Sequence, residues 1–196
     1  MFGGWSMKAN KLAIFDLDGT LFDTKDVNFH AYSQAIEKCG FKVRIDYKFY
    51  CDFCNGNNYK TFLPKLIEGI SNEEMESIHK EKLCLYESCL KYAKKNEHLF
   101  EIIRCIRQEY KTALVTTASR KNTLEILSAF KEEKAFDFIL TKEDVAKTKP
   151  DPECFIKAMD VAQCSQCETV IFEDSDTGLK AAELSGAKYM KVYGFN

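Results

Sequence analysis

The sequence predicts an α/β protein in which helices cover both faces of a parallel sheet, with an all-helical segment inserted after the first strand. From residue 97 onward, short apolar runs alternate with helical patterns, which is typical of parallel strands joined by crossover helices. Residues 23–96 contain helical periodicity and no convincing buried strand. We therefore expect an α/β core domain formed by residues 1–22 and 97–196, and a helical domain formed by residues 23–96.

The first element is a buried strand that begins at Ala13, and Gly19 indicates the loop that ends it. Within the inserted segment, Gly40 caps the first helix, and Pro64 suggests that the first turn of the second helix begins near that residue. An aromatic, asparagine-rich stretch separates these two helices and is predicted to be a loop. The insert is thus predicted to contain helices over residues 27–39, 59–68 and 71–95, and a loop over residues 41–59.

The second part of the core is predicted to alternate regularly. Pro152 stands in a helical first turn, where proline is tolerated, and Gly186 caps the last helix. Helices are predicted over residues 99–106, 122–127, 152–161 and 177–185. Strands are predicted over residues 112–116, 138–140, 169–172 and 189–192.

Composition excludes several classes of protein. The 196 residues are 45% hydrophobic and 30% charged, which is enough for one good-sized core and a small second domain. The net charge of −2 and the mixed charge signs favour neither a nucleic-acid nor a membrane partner. No apolar run approaches the roughly 20 residues of a membrane span, and the N-terminus does not resemble a signal peptide. We expect a cytoplasmic monomer or small homo-oligomer, and we treat Met7 as a candidate native start.

Nine cysteines are scattered along the chain, which without a secretory signal indicates free thiols in a reducing compartment. Two pairs, Cys51/Cys54 and Cys164/Cys167, have CxxC spacing. A zinc site would need these pairs to converge or to have histidines nearby, and no histidine follows either pair at zinc-finger spacing. We expect packing cysteines, with zinc binding and redox activity as the less favoured alternatives.

Two carboxylates end the first strand, in the segment Asp16-Leu17-Asp18-Gly19-Thr20. The carboxyl edge of an open parallel sheet is where ligands bind. Neighbouring like charges repel and need a cation or a shared proton, and Mg²⁺ prefers carboxylates, water and a substrate phosphate. A carboxylate beside Mg²⁺ can also attack phosphorus and form an aspartyl-phosphate. The alternative interpretation is an Asp-Gly turn with an incidental second acid.

Three further polar motifs follow strands or precede helices. Thr116 and Thr117 end a strand before a helix, a position that suits a phosphate oxygen but also suits simple capping. Lys149 stands in a stiff Lys-Pro-Asp-Pro loop, where it could neutralise an anionic nucleophile and a phosphate or remain solvated. Residues 173–176 carry three acids after an apolar strand. These acids could be metal ligands and the residues that support them, or they could simply begin a helix. Because all four motifs belong to one sheet edge, we expect them to converge.

In this order the four motifs resemble those of the haloacid dehalogenase-like (HAD) superfamily, in particular subfamily I, in which a helical C1 cap follows the first motif. That group includes phosphoglycolate phosphatase and β-phosphoglucomutase. The resemblance covers about residues 11–192 and implies a Rossmann-like core with a cap domain. It also implies a Mg²⁺-dependent phosphatase that hydrolyses a small phosphorylated metabolite, a phosphomonoester, through an aspartyl-phosphate intermediate.

The resemblance also implies residue roles. Asp16 corresponds to the nucleophile and Asp18 to the general acid/base. The family often has asparagine where Thr117 stands. Matched to the family motifs, the residues that bind the phosphoryl group are Gly19, Thr116, Thr117 and Lys149. The implied metal ligands are Asp16, Asp18 through its carbonyl, and Asp174, with support from Glu173 and Asp176.

Three alternatives remain on the same fold. A phosphosugar mutase of the β-phosphoglucomutase type has a histidine four residues after its Asp-Thr pair, whereas alignment on Asp23-Thr24 places Asn28 there and leaves His30 two positions later. This departure favours a hydrolase. A dehalogenase is less favoured, because it needs no metal whereas the acid cluster of this sequence predicts one. A non-catalytic module that binds a phosphorylated ligand is the alternative from another class.

The substrate is left open by the sequence, and the cap domain should decide it. Its candidate contact loop covers residues 53–60, and basic side chains near this loop could attract a second anionic group. Solvated basic residues and core aromatic residues are the competing interpretation. The candidate specificity residues are Arg44, Tyr50, Phe53, Asn57, Tyr59 and Lys60.

Overall fold

The computed structural model describes residues 10–193 and residue 195, so the expectations for the N-terminal segment and Met7 concern residues outside this range. The chain divides into two compact units. The first unit contains the chain up to Asp23 and the chain from Lys95 onward, and the second contains Thr24–Lys94. No helix in the described part of the chain has both the length and the apolarity to cross a membrane.

The first unit is built on a five-stranded parallel sheet with the strand order β5-β4-β1-β6-β7. A separate pairing joins the short strands β2 and β3. The strands of the described residues are β1 (Leu12–Phe15), β2 (Phe22–Asp23), β3 (Lys94–Lys95), β4 (Lys111–Val115), β5 (Phe138–Leu140), β6 (Thr169–Glu173) and β7 (Lys188–Lys191). The parallel sheet predicted from the sequence is confirmed.

Helices alternate with the strands of the sheet and account for most of the second unit. β1 is buried along its whole length, as expected for a central strand with helices on both faces. The helices are α1 (Lys25–Lys38), α2 (Tyr47–Phe49), α3 (Tyr59–Leu66), α4 (Asn72–Cys89), α5 (Glu97–Ile106), α6 (Arg120–Ala129), α7 (Glu153–Ala162) and α8 (Asp176–Ser185).

Several predicted boundaries were wrong. Pro64 lies inside α3, because the Asn58 side chain accepts the Lys60 amide and begins the helix at Tyr59. The predicted loop over residues 41–59 contains α2 and a π-helical turn over Tyr50–Cys54. α4 is shorter than predicted, since the chain passes through a 3₁₀ turn and then forms β3 with β2.

The core of the first unit lies between the sheet and its helices. Ile14 and Ile171 pack with Phe155 of α7 and Ala181 of α8, and all four are completely buried. At the carboxyl end of the sheet the ring of Phe15 in β1 stacks on Phe172 in β6, with ring centroids 4.6 Å apart. The register pairs the same two residues across the strands. This packing brings the ends of β1 and β6 level, so the residues that follow them share one edge.

The second unit has its own core, in which α1 and α4 supply many of the buried side chains. Tyr32 of α1 packs edge-to-face on Phe62 of α3, with ring centroids 5.1 Å apart. α4 begins with a capping box, in which Ser71 accepts the Glu74 amide and the Glu74 carboxylate accepts the Ser71 amide. The helical nature of the insert agrees with the sequence prediction, apart from Asp23 in β2 and Lys94 and Lys95 in β3.

All nine cysteines are free thiols. The prediction that they pack in the interior holds for Cys54, Cys89, Cys154 and Cys164 and is wrong for three exposed ones. Each CxxC pair therefore has one buried cysteine and one cysteine that is more accessible. The exposed cysteines are Cys84, Cys105 and Cys167.

Candidate active site

β1 brings Asp16 to the carboxyl edge of the sheet. The Asp16 amide donates a hydrogen bond to the Phe172 carbonyl at 3.0 Å, which extends the pairing of β1 with β6 to this residue. The chain then turns tightly, and the Phe22 amide donates to the Leu17 carbonyl at 2.9 Å. Gly19 has a φ of +88°, in the left-handed region that favours glycine. The loop thus holds Asp16 buried at the strand end.

Lys149 connects two of the predicted acids. Its Nζ atom lies 2.6 Å from Oδ1 of Asp16 and 2.7 Å from Oε1 of Glu173, and it donates to the Val115 carbonyl at 3.3 Å. Only 5% of the Lys149 side chain is exposed. Burial acts to lower the pKa of this ammonium, but the Asp16 and Glu173 carboxylates outweigh it and hold that pKa above its ordinary value. Lys149 is therefore a cation fixed between two carboxylates.

Glu173, the last residue of β6, is held in one orientation. Its Oε2 atom accepts the Ser175 amide at 2.9 Å and the Ser175 hydroxyl at 3.0 Å, while Oε1 accepts from Lys149. The backbone of Gly178 approaches so closely that a Cβ there would lie 1.8 Å from Oε1 of Glu173. Position 178 therefore requires glycine, and the Glu173 carboxylate is directed at Lys149.

Asp174 lies against the loop that follows β1. The Thr20 hydroxyl donates to Oδ1 of Asp174 at 2.9 Å, and a Cβ on Gly19 would lie 2.1 Å from Oδ2. Burial raises the pKa of Asp174 to about 6, and the hydrogen bond from Thr20 opposes this rise. Sequence reasoning missed Thr20. The available signal was a hydroxyl directly after the two acids and the glycine.

Asp16, Glu173 and Asp174 form an acid cluster. Each offers one carboxylate oxygen, and these atoms lie within 4.8 Å of one another, a grouping found once in the described residues. Burial raises the pKa of Asp16 well above its ordinary value, and Lys149 acts to lower it. Two buried acids and one half-buried acid grouped around one ammonium carry surplus negative charge, which a divalent cation would offset. The donor set consists of hard oxygen atoms and fits Mg²⁺.

The loop between β4 and α6 adds hydroxyl and amide groups. Thr116 is buried directly after β4, and its Oγ1 atom accepts the Ala118 amide at 3.0 Å. Ser119 begins α6 as its capping residue. Because β4 pairs in parallel with β1, Thr116 and Asp16 follow adjacent strands at the same sheet edge. Thr117 is exposed, in contrast to Thr116.

Asp18 and Asp176 lie outside the acid cluster. Asp18 is half-buried in the loop after β1 and forms a backbone bridge with Phe22. Asp176 is the first residue of α8, its side chain is 97% exposed, and its Oδ1 atom lies 3.5 Å from Nζ of Lys191. Such an acid in a first turn stabilises the helix through a favourable interaction with its dipole. Ser175 and Thr20, rather than Asp176, contact the cluster acids.

Residues 13–192 match the family model of haloacid dehalogenase-like hydrolases. The chain belongs to this family. Two curated relatives of this HAD-like hydrolase are bacterial phosphatases. A phosphorylated carbohydrates phosphatase of Thermotoga maritima is 30% identical over 186 residues, which cover 92% of this chain and 83% of the relative. Pyrophosphatase PpaX of Halalkalibacterium halodurans is 26% identical over 187 residues, 89% of this chain and 80% of the relative.

Solved structures share the fold of this HAD-like hydrolase. The crystal structure of CbbY from Rhodobacter sphaeroides in complex with phosphate has a TM-score of 0.84 at 24% identity, and the match covers 94% of this chain and 87% of CbbY. A predicted phosphoglycolate phosphatase from Haemophilus somnus has a TM-score of 0.84 at 19% identity, over 95% of this chain and 87% of that chain. At these identities the likeness shows the fold alone.

The candidate specificity residues of the helical unit have mixed environments. Tyr50 belongs to the core of the unit and is 2% exposed, so its place as a substrate contact is not supported by the structure. Lys60 pairs with Glu76 at 2.7 Å, and Tyr59 stacks on His79 with ring centroids 4.1 Å apart. The remaining candidates lie at the surface: Arg44, Phe53 and Asn57.

Proposed function

We propose that this HAD-like hydrolase is a Mg²⁺-dependent phosphatase that hydrolyses a small phosphomonoester through an aspartyl-phosphate on Asp16. The observation that carries the proposal is the buried contact between Asp16 and Lys149 beside two further carboxylates. An acid in such surroundings is costly to the fold, and nucleophilic attack on a phosphoryl group accounts for its presence. Membership of the family and the phosphatase names of two relatives support the same reaction class.

Asp16 is the nucleophile in this proposal. Its carboxylate attacks phosphorus and forms an acyl phosphate, the aspartyl-phosphate, while the bond from phosphorus to the leaving oxygen breaks. The Lys149 ammonium, 2.6 Å from Oδ1 of Asp16, offsets negative charge on the transferring group. Thr116 and the amides at the start of α6 bind phosphoryl oxygens. We propose that Gly19 and Thr117 also bind the phosphoryl group.

Asp18 moves the protons. In the first step it gives a proton to the leaving oxygen, and in the second it takes a proton from the water that hydrolyses the aspartyl-phosphate. The loop after β1 carries both acids, so the same turn supports nucleophile and proton carrier. Each cycle returns Asp16 and Asp18 to their starting protonation states and releases inorganic phosphate.

The acid cluster would hold the cation. Asp16 and Asp174 are the proposed side-chain ligands, the Asp18 carbonyl is the proposed backbone ligand, and Glu173 supports them through Lys149 and its own carboxylate. When bound, Mg²⁺ supplies positive charge that stabilises the transferring phosphoryl group.

We further propose that residues 23–96 act as a cap domain. Caps in enzymes of this kind close on the substrate, exclude bulk water and select the leaving group. The substrate is then a small phosphorylated metabolite, with neither nucleic acid nor membrane as a partner, and the protein works in the cytoplasm as a monomer or small homo-oligomer. Arg44, Phe53, Asn57, Tyr59 and Lys60 are the proposed candidates for reading the substrate.

The test is phosphate release from a panel of sugar phosphates, phosphoglycolate and pyrophosphate, with Mg²⁺ or with EDTA. We compare the wild type with Asp16→Asn and with Asp160→Asn, which changes an exposed acid on α7. Release that needs Mg²⁺, is lost in Asp16→Asn and persists in Asp160→Asn is the expected result. Full activity of folded Asp16→Asn would overturn the assignment. Absence of release from every compound would favour a mutase, assayed by sugar-phosphate isomerisation, or a binding module.

A further inference from the structure

Thr20 makes a long-range contact that the reaction described above does not use. The residue is completely buried, and its hydroxyl donates to Oδ1 of Asp174 at 2.9 Å, although the two residues are 154 positions apart in the chain. The contact joins the loop after β1 to the loop after β6. Asp174, one of the acids that would bind the cation, is therefore hydrogen-bonded to a side chain of the loop after β1.

The backbone around Thr20 is fixed by contacts on both sides. The Gly19 amide donates to the Phe22 carbonyl at 2.8 Å. The Asn96 side chain donates to the Thr20 carbonyl at 3.2 Å, and the Asn96 amide donates to the Leu21 carbonyl at 2.9 Å. Asn96 is itself held as the capping residue of α5. The Thr20 hydroxyl therefore has a defined position relative to the sheet edge.

Asp174 has little freedom on its other side. A Cβ on Gly19 would lie 2.1 Å from Oδ2 and 2.7 Å from Cγ of Asp174, so the carboxylate lies directly on the glycine backbone. Its Oδ1 atom takes the Thr20 hydrogen bond. A carboxylate that is hydrogen-bonded at one oxygen and packed against backbone at the other presents one orientation to a ligand.

We propose that Thr20 is a positioning residue that orients Asp174 for the divalent cation. This inference rests on the proposed function, because it assumes that the acid cluster binds Mg²⁺. The Thr20 hydroxyl donates to Oδ1 of Asp174, so the Asp174 side chain is already in its binding orientation before the cation arrives. Partners of this kind change metal affinity by about 10- to 100-fold when they are removed.

The test compares Mg²⁺ binding by isothermal titration calorimetry in four purified proteins: wild type, Thr20→Val, Thr20→Ser and Thr112→Val. Thr20→Val keeps the branched shape and removes the hydroxyl, and Thr20→Ser keeps the hydroxyl. Thr112 is the matched control, since it is also completely buried and its hydroxyl lies 3.5 Å from the Asp137 carboxylate and 3.1 Å from the Ala135 carbonyl. It stands at the amino end of β4, away from the acid cluster.

We expect the Mg²⁺ dissociation constant of Thr20→Val to rise by about 10- to 100-fold, with Thr20→Ser close to the wild type and Thr112→Val unchanged. The Mg²⁺ concentration for half-maximal activity should rise in Thr20→Val while the rate at saturating Mg²⁺ changes less. Wild-type affinity in folded Thr20→Val would overturn this inference and leave the proposed function intact. A wild-type protein that binds no Mg²⁺ would overturn the proposed function itself.

Discussion

Lys149→Met tests the central electrostatic feature of the site. The substitution keeps an unbranched side chain that is one atom shorter, and it removes the ammonium that lies 2.6 Å from Asp16 and 2.7 Å from Glu173. Removal of one partner from a buried ion pair costs about 3–5 kcal/mol, because the remaining charges are left without compensation. Since a change of 1 kcal/mol shifts the melting temperature by about 2–4 °C in a protein of this size, the midpoint should fall by about 6–20 °C.

The deficit should depend on pH. Because the folded-state pKa of Lys149 is raised, its stabilising contribution is complete below the ordinary lysine pKa and is lost only as pH rises through the folded value. In Lys149→Met the buried Asp16 carboxyl loses the cation that acts to lower its pKa, so burial raises that pKa further and the fold is least stable where Asp16 must be ionised. The difference from the wild type should therefore be largest at pH 7 and smaller toward pH 5.

The assays are thermal and denaturant unfolding of both proteins at pH 7 and pH 5, with EDTA and with Mg²⁺, together with phosphate release. Lys180→Met is the matched control, since Lys180 pairs with Glu183 at 2.7 Å at the surface, where such pairs contribute little. We expect Lys149→Met to lose activity and much of its stability, and Lys180→Met to lose neither. Mg²⁺ should restore part of the stability of Lys149→Met. Equal stability of the two variants at pH 7 would refute the electrostatic account of the site.

Two further substitutions test the other acids of the cluster. Asp174→Asn should raise the Mg²⁺ concentration for half-maximal activity more than about tenfold, because it removes a charged ligand; Asp160→Asn is the control, and an unchanged requirement would contradict the ligand assignment. Gly178→Ala should destabilise the fold by about 1–3 kcal/mol and reduce activity, because its Cβ would lie 1.8 Å from Oε1 of Glu173. Denaturant unfolding measures the change, and wild-type stability would count against the close approach.

Sequence reasoning predicted the sheet and the region of the site because both depend on patterns that are local in the chain. Apolar runs before Asp16 and before Glu173 indicated two buried strands, and parallel pairing brings their carboxyl ends to one edge. The same argument applies to Thr116 after β4. The order of strands was not needed, since every parallel strand ends at that edge.

Contacts between distant residues could not be predicted in the same way. The Thr20 hydroxyl meets Asp174 because two loops come together in space, and the spacing of residues along the chain contains no information on that distance. Asp176 illustrates the same limit, because it stands two residues after Asp174 and yet the first turn of α8 directs its side chain to solvent. Tyr50 was misplaced because an unpredicted π-helical turn rotates it into the core of the helical unit.

Under the proposed function, the charges of the site make binding of the phosphate group depend on the cation. Three cluster carboxylates and one ammonium leave an excess of two negative charges. In that state a phosphate dianion would be repelled, and the raised pKa values of Asp16 and Asp174 show that burial already penalises the excess. A divalent cation makes the cluster neutral as a whole. Lys149 and the amides of α6 can then attract the phosphoryl oxygens, so the arrangement favours phosphate binding only after the cation has bound.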